Sequence, residues 1–320
     1  MESNGIWRLL EKIFWQFFSF SSPMIIGHEA ICKRLFRAFE RHAASHAFLF
    51  LGPEGVGKRL VALECAKRFL GDSPHAASLT LLSPEVVEEK GRVREVPIGV
   101  ERVREAIRTI TLSVSRGNRR VLIIDRADRL TESAQNALLK TLEEPYPETV
   151  IFLIAQEEGA ILPTLRSRTE RVSFSLVPNS RIRQFLPETP ACFLATGRPG
   201  IAVLFRDNPE KYEREKNLLE QLLRFDSLSF QERAQLAQML ASDSLLAERL
   251  LSWWIGSLQS SVVSEDVLSR GFLLKRLESV SSTLRDMRRF PGSVRLTLET
   301  LFFFKRSASL LLARPFRRFT

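Results

Sequence analysis

Ala47-Phe48-Leu49-Phe50-Leu51-Gly52-Pro53-Glu54-Gly55-Val56-Gly57-Lys58-Arg59 is the stretch that decides the fold of this chain. Its first five residues form a short continuous apolar run bounded by Gly52-Pro53, which predicts a strand buried on both faces. A helix is expected from about Gly57 to Leu70. Between them, residues 52–58 satisfy G-x-x-x-x-G-K in the strand–loop–helix context that the pattern needs. There, backbone N–H groups and a helix N-terminus surround phosphate oxygens, and the lysine reaches the outer ones. Gly52, Gly55, Gly57 and Lys58 are therefore candidate phosphate-binding residues. Arg59 stands where the pattern calls for a Ser or Thr hydroxyl on magnesium, and a guanidinium cannot ligate a cation.

On the N-terminal side, Ile31, Leu35, Phe36 and Phe39 recur at helical spacing within residues 24–46. On the C-terminal side, residues 71–98 read as polar and irregular, with Gly71, Pro74, Pro84, Gly91 and Pro97. A helix follows from about Val100 to Ser115. Val121 to Ile124 is a second buried strand ending at Asp125, and Val150 to Ile154 a third. Between these lies a helix from about Glu132 to Glu144, with Thr131 as N-cap and Pro145 as its stop. Strands alternating with helices predict an α/β fold, a parallel sheet with helices on both faces. Strand signals fade after Val172-Ser173-Phe174. The expected organisation is a nucleotide-binding-like domain over 24–176, a small helical lid over 177–209 and an all-helical domain over 210–320. Ile13 to Phe20 is apolar but interrupted by Gln16, and it is well short of the roughly 20 residues a spanning helix needs. No cleavage-site pattern follows it. Residues 1–23 are either a loose leader or lie upstream of a true start at Met24.

The 320 residues, 44% hydrophobic and 26% charged, suit a soluble globular protein of two or three domains. Cys32, Cys65 and Cys192 are far apart and lack metal-ligand spacing, which points to reduced, cytoplasmic thiols; with no apolar run long enough to span, no membrane partner is expected. The net charge is +10, and between Lys275 and Thr320 eleven Lys and Arg residues face three acidic ones. Such a surplus is read either as a solvated helical face with a basic tail or as a surface for nucleic acid. No base-reading motif is present, so contact with DNA would be phosphate-directed and salt-sensitive.

Ile123-Ile124-Asp125-Arg126-Ala127-Asp128-Arg129-Leu130-Thr131, followed by Asn136-Ala137-Leu138-Leu139-Lys140-Thr141-Leu142-Glu143-Glu144-Pro145, closely resembles the bacterial clamp-loader subunits of DNA polymerase III, which are AAA+ proteins. The resemblance runs from about Ile25 to Phe174, and Arg295 to Leu301 is similar to the family's last helix. It implies an AAA+ nucleotide-binding domain, a helical lid and a C-terminal collar for oligomerisation. By the resemblance, Asp125 is the acid that organises magnesium. Hydrolysing members follow it with a Glu that activates water, whereas Arg126 cannot accept a proton at neutral pH. That departure looks like the delta-prime branch rather than the gamma/tau ATPase. Asp128, three residues on, is the remaining substitute acid. The site thus reads as compatible with ATP or ADP but catalytically poor, with weak binding and no binding both left open.

Leu162-Pro163-Thr164-Leu165-Arg166-Ser167-Arg168-Thr169 is similar to the family's Ser-Arg-Cys segment, with Thr169 in place of Cys. The resemblance implies that Arg168 acts in trans at a neighbouring subunit's ATP site; the alternative is an ion pair within the chain. Gly197-Arg198-Pro199-Gly200 resembles the lid motif, which leaves Arg198 either touching phosphate or serving a helix-cap loop. Ala155-Gln156 stands where a Thr or Asn nucleotide sensor is usual. Many members bind zinc through four cysteines ahead of the Asp strand; residues 71–98 hold none, so no zinc is expected. The implied partners are gamma/tau and delta subunits, the sliding clamp and primed DNA. Two other readings stay open: an active gamma/tau-like ATPase, and a basic DNA-binding scaffold that retains only the fold.

Overall fold

The computed structural model describes residues 25–41, 44–71, 79–89, 92–112, 119–186, 195, 197–264, 267–289 and 294–304. The expectations for residues 1–23 and for Cys192 lie outside them. The described chain divides into two compact units. One holds the residues up to Glu85 together with Pro97–Arg206; the other holds Val86–Val96 and the residues from Asp207 onward.

The first unit is built on five parallel strands: β1 (Ala47–Leu51), β2 (Leu79–Leu82), β5 (Arg120–Ile124), β6 (Thr149–Ala155) and β7 (Glu170–Ser173). Their order is β2-β5-β6-β1-β7. Alternation along each strand divides the core in two, because successive side chains leave opposite faces of a sheet. Ala47, Leu49 and Leu51 join Leu122, Ile124, Ile151 and Leu153 on one face, under helices α3 (Val100–Leu112) and α4 (Glu132–Glu143). Phe48 and Phe50 join Val121, Ile123, Phe152 and Val172 on the other, under α1 (Glu29–Glu40) and α2 (Lys58–Leu70). Phe48 stacks on Phe152 with ring centres 5.3 Å apart, and Phe39 from α1 closes over both. The continuous apolar runs thus exist because both faces are covered.

Thr131 caps α4 as expected, its side chain accepting from the Ala134 N–H at 3.2 Å. Within residues 71–98, the described stretches 79–89 and 92–98 hold strands that their composition does not suggest. Leu79–Leu82 supplies the edge strand β2, paired to β5 with Leu79 opposite Val121. After Pro84 comes a two-stranded hairpin, β3 (Glu85–Glu89) and β4 (Arg92–Val96). A four-residue strand at a sheet edge buries too little to show as an apolar run, and the hairpin is rich in charge.

Beyond β6 a short helix, α5 (Pro163–Arg166), leads into β7, and α6 (Asn179–Phe185) and α7 (Pro199–Asp207) follow. The second unit is helical: α8 (Pro209–Leu223), α9 (Phe230–Ser242), α10 (Ser244–Ser264), α11 (Val267–Arg289) and α12 (Val294–Glu299). Strand β4 packs with α9 and α10 of this unit. Its core includes Leu222, Phe225, Leu240, Trp253, Trp254 and Phe302. Ser229 starts α9 with a reciprocal capping box to Glu232. Among the described residues no helix is long and apolar enough to cross a membrane.

Candidate functional site

Strand β1 has later strands on both sides, β6 and β7, so connections diverge around its carboxyl end. Open parallel sheets bind ligands at such a position. The loop that leaves β1 there is Gly52–Gly57, and α2 starts directly behind it. Gly52, Gly55 and Gly57 all have positive φ, at 144°, 77° and 106°. A side chain at Gly52 would put its Cβ 2.1 Å from the Phe174 carbonyl oxygen, and one at Gly55 would meet Ile201 Cγ1 at 2.7 Å. Only glycine lets the loop lie this close to β7 and α7.

Gly197-Arg198-Pro199-Gly200 packs directly on this loop. The Gly200 N–H donates to the Gly55 carbonyl at 2.8 Å, and Arg198 Cβ would lie 3.2 Å from a Cβ at Gly55. Arg198 is buried, 8% exposed, and lies within the electrostatic reach of Glu54. Burial lowers its pKa. Gly197 also serves a turn: its N–H donates to Asn179 Oδ1 at 2.9 Å and its carbonyl accepts from Val177 N–H at 2.8 Å.

Lys58 is 6% exposed. Its ammonium donates to the carbonyls of Gly52 and, at 2.7 Å, Pro53. Burial drives its pKa down to about 8, opposed by the charges of Asp125, Asp128 and Glu54. Asp125, at the end of β5, receives the Arg126 N–H on Oδ1 at 3.0 Å and Arg59 Nη1 on Oδ2 at 3.4 Å. Burial raises its pKa, and the nearby cations Arg59, Arg126 and Lys58 oppose the rise. Arg126 has left-handed backbone, φ 57° and ψ 48°, an uncommon state for a residue with a Cβ and a frequent mark of functional sites. Asp128 Oδ1 accepts the Gln156 N–H at 3.1 Å, so this acid ties the end of β6.

The loop fits a phosphate chain: three positive-φ glycines, a helix N-terminus and the Lys58 ammonium converge there. To hold a phosphate, Lys58 would exchange its two carbonyl partners for ligand oxygens. The site does not fit magnesium. The position of the hydroxyl ligand carries Arg59, and both Asp125 oxygens already have N–H donors.

Gly52, Gly55, Gly57, Lys58, Asp125 and Arg198 thus come together around one loop. Arg168 does not join them. It follows α5, where Nη1 donates to the Thr164 carbonyl at 3.0 Å and Nη2 pairs with Glu143 Oε1 at 2.7 Å. Its side chain is 36% exposed. The segment carrying it is pinned by Gln135, a buried side chain of α4. Gln135 Nε2 donates to the Ala160 carbonyl at 2.9 Å and its Oε1 accepts the Leu162 N–H at 2.8 Å.

Two contributors escaped the sequence reading, Gln135 and His28. His28 precedes α1 with φ 61°, and its ring lies edge-on to Phe174 at 5.0 Å. Burial lowers its pKa, and a hydrogen bond to the backbone of Val56, a residue of the phosphate loop, opposes the drop. Neither residue belongs to a periodic pattern. The one available signal for Gln135 was an amide on the apolar face of a helix.

A family described as DNA polymerase III, delta subunit, matches residues 27–178. The delta' subunit of DNA polymerase III from Pseudomonas aeruginosa is 35% identical over 135 residues, 39% of this chain and 41% of that protein. The delta' subunit from Bacillus subtilis is 30% identical over 166 residues, 49% of this chain and 50% of that protein. The gamma/tau subunit from Mycobacterium tuberculosis is 34% identical over 173 residues, 51% of this chain and 30% of that protein. In each case the match spans half of the relative's length or less. The crystal structure of a DNA polymerase III gamma subunit-related protein from Thermotoga maritima superposes with a TM-score of 0.51. It shares 22% identity and covers 85% of this chain and 97% of that one, a likeness of fold. Over residues 27–178, just under half of its length, this chain is similar to the DNA polymerase III delta-subunit family, and the delta' subunits among its relatives make that region delta-prime-like in sequence.

Proposed function

We propose that the chain is a non-hydrolysing clamp-loader subunit that helps an ATP-driven assembly place a sliding clamp on primed DNA. The observation that carries this reading is the state of Asp125. In an ATPase it would organise magnesium beside a water-activating carboxylate; here Arg59 lies on it and Arg126 follows it. Arg126, in the position of that carboxylate, cannot take a proton from water. A subunit built this way contributes by shape and by charge. Arg168, partly exposed and held in this chain by Glu143 and the Thr164 carbonyl, is the charge it would lend to the ATP site of a gamma/tau neighbour. A guanidinium on developing γ-phosphate charge stabilises the transition state of phosphoryl transfer. Cytoplasmic localisation, a delta neighbour and phosphate-directed contact with DNA complete the reading.

Reconstituting the loader with Arg168→Ala and measuring DNA-stimulated ATPase tests it. The pair with Glu143 is partly exposed and contributes at most about 1 kcal/mol to stability, so the variant should fold and assemble. Turnover should fall at least several-fold, because arginine fingers contribute on the order of a thousandfold at the one site they serve. Unchanged turnover in an intact assembly would remove the trans role.

The relationship to gamma/tau subunits favours a second reading, an active ATPase. ATP hydrolysis by the isolated chain at a rate comparable to a gamma/tau subunit would establish it.

A further inference from the structure

Resting on the phosphate-loop reading, the residues around Asp125 carry one step more. Arg59 is the second residue of α2, directly behind Lys58. Its Nη1 lies 3.4 Å from Asp125 Oδ2, while Oδ1 is occupied by the Arg126 N–H at 3.0 Å. The Asp125 side chain is 19% exposed, so little water competes for it. Three cationic groups, Arg59, Arg126 and Lys58, bear on this one carboxylate. A hard dication requires free oxygen ligands and a surplus of negative charge; this position offers neither.

We infer that Arg59 is a covalently attached replacement for the divalent cation, so that the phosphate loop takes a nucleoside triphosphate as the metal-free anion. A guanidinium has five N–H donors in a planar fork. One edge remains on Asp125, and the other donors are free to reach phosphate oxygens, which guanidinium groups bind in paired hydrogen bonds. The arrangement bridges carboxylate and phosphate as a metal would, with one positive charge in place of two and no bound water to activate. Such a loop holds nucleotide as a structural brace and cannot turn it over.

The test is calorimetric titration of the full chain with ATP, once in excess magnesium and once in EDTA, repeated with Arg59→Thr. The wild-type chain should bind ATP at least as tightly in EDTA as in magnesium, because the metal competes for the phosphates. Arg59→Thr should reverse that order by about tenfold. With ATP present, the variant should also show protein-bound manganese by electron paramagnetic resonance, a signal absent from wild type. Circular dichroism establishes that both chains fold. Tighter wild-type binding in magnesium, wild-type binding in neither condition, or a variant that gains neither metal dependence nor bound manganese each overturns the inference. These outcomes are independent of the Arg168→Ala measurement, which reads a neighbour's turnover and can succeed or fail alone.

Discussion

Lys58 is the residue at which the electrostatics of the loop can be measured most directly. Its pKa is depressed from 10.5 to about 8 because burial disfavours the ammonium. The folded chain therefore binds fewer protons at this side chain than the unfolded chain between those two values. By linkage, stability rises with pH across that window, by up to about 3 kcal/mol for a shift of this size. Below pH 8 the buried charge is a standing cost. Lys58→Met removes it, so the difference in denaturant midpoint between variant and wild type should be largest near neutral pH and shrink toward pH 10. A difference that stays flat across the range would mean the ammonium is not desolvated. Lys58 and the three glycines were legible in the sequence because a phosphate loop has a fixed spacing. The Arg59–Asp125 pair was not, since 66 residues separate its members.

Among the elements, the central strands could be read directly and the edge could not. β1, β5 and β6 are buried on both faces, so their apolar runs survive in the sequence. β2 and the hairpin depend on neighbours that the local pattern does not show. Helix α4 was predicted from its cap and its stop, yet its part in the site runs through Gln135, whose amide holds the backbone at Ala160 and Leu162. Gln135→Leu keeps the volume but removes the side-chain partner of the Leu162 N–H and the Ala160 carbonyl, both bonds part-buried, which costs about 1 kcal/mol. We expect a lower midpoint of urea unfolding. If the proposed trans role holds, the loader's ATPase also falls, because the segment from Ile161 to Arg168 loses its anchor. Loss of stability with full ATPase would show that Arg168 is positioned independently of α4.

At the level of the whole molecule, the legible half and the illegible half divide near residue 178, where the family match ends. The helices after Asp207 show the periodicity of helices and little else, because leucine-rich packing is met by many sequences. Their firmest specific feature is the ion pair of Glu215 with Arg249, whose side chains are 2% and 15% exposed. Burial of that kind needs a matched partner and could not be inferred from either residue alone.

The hairpin β3–β4 sits in sequence between β2 and α3, yet β4 packs with α9 and α10, the first of which starts at Phe230, far downstream of Val96. The nascent chain must therefore hold this ribbon unfinished until α9 and α10 emerge. A fragment ending at Arg206 should express with the ribbon unsupported, and it should be cut by trypsin at Arg92 or Arg94 far faster than the full chain, as mass spectrometry of timed digests would show. Equal digestion rates would mean that the ribbon folds unaided. Ancestral shuffling of these halves as interchangeable modules would have met the same obstacle, for no single crossover point in the gene separates one from the other.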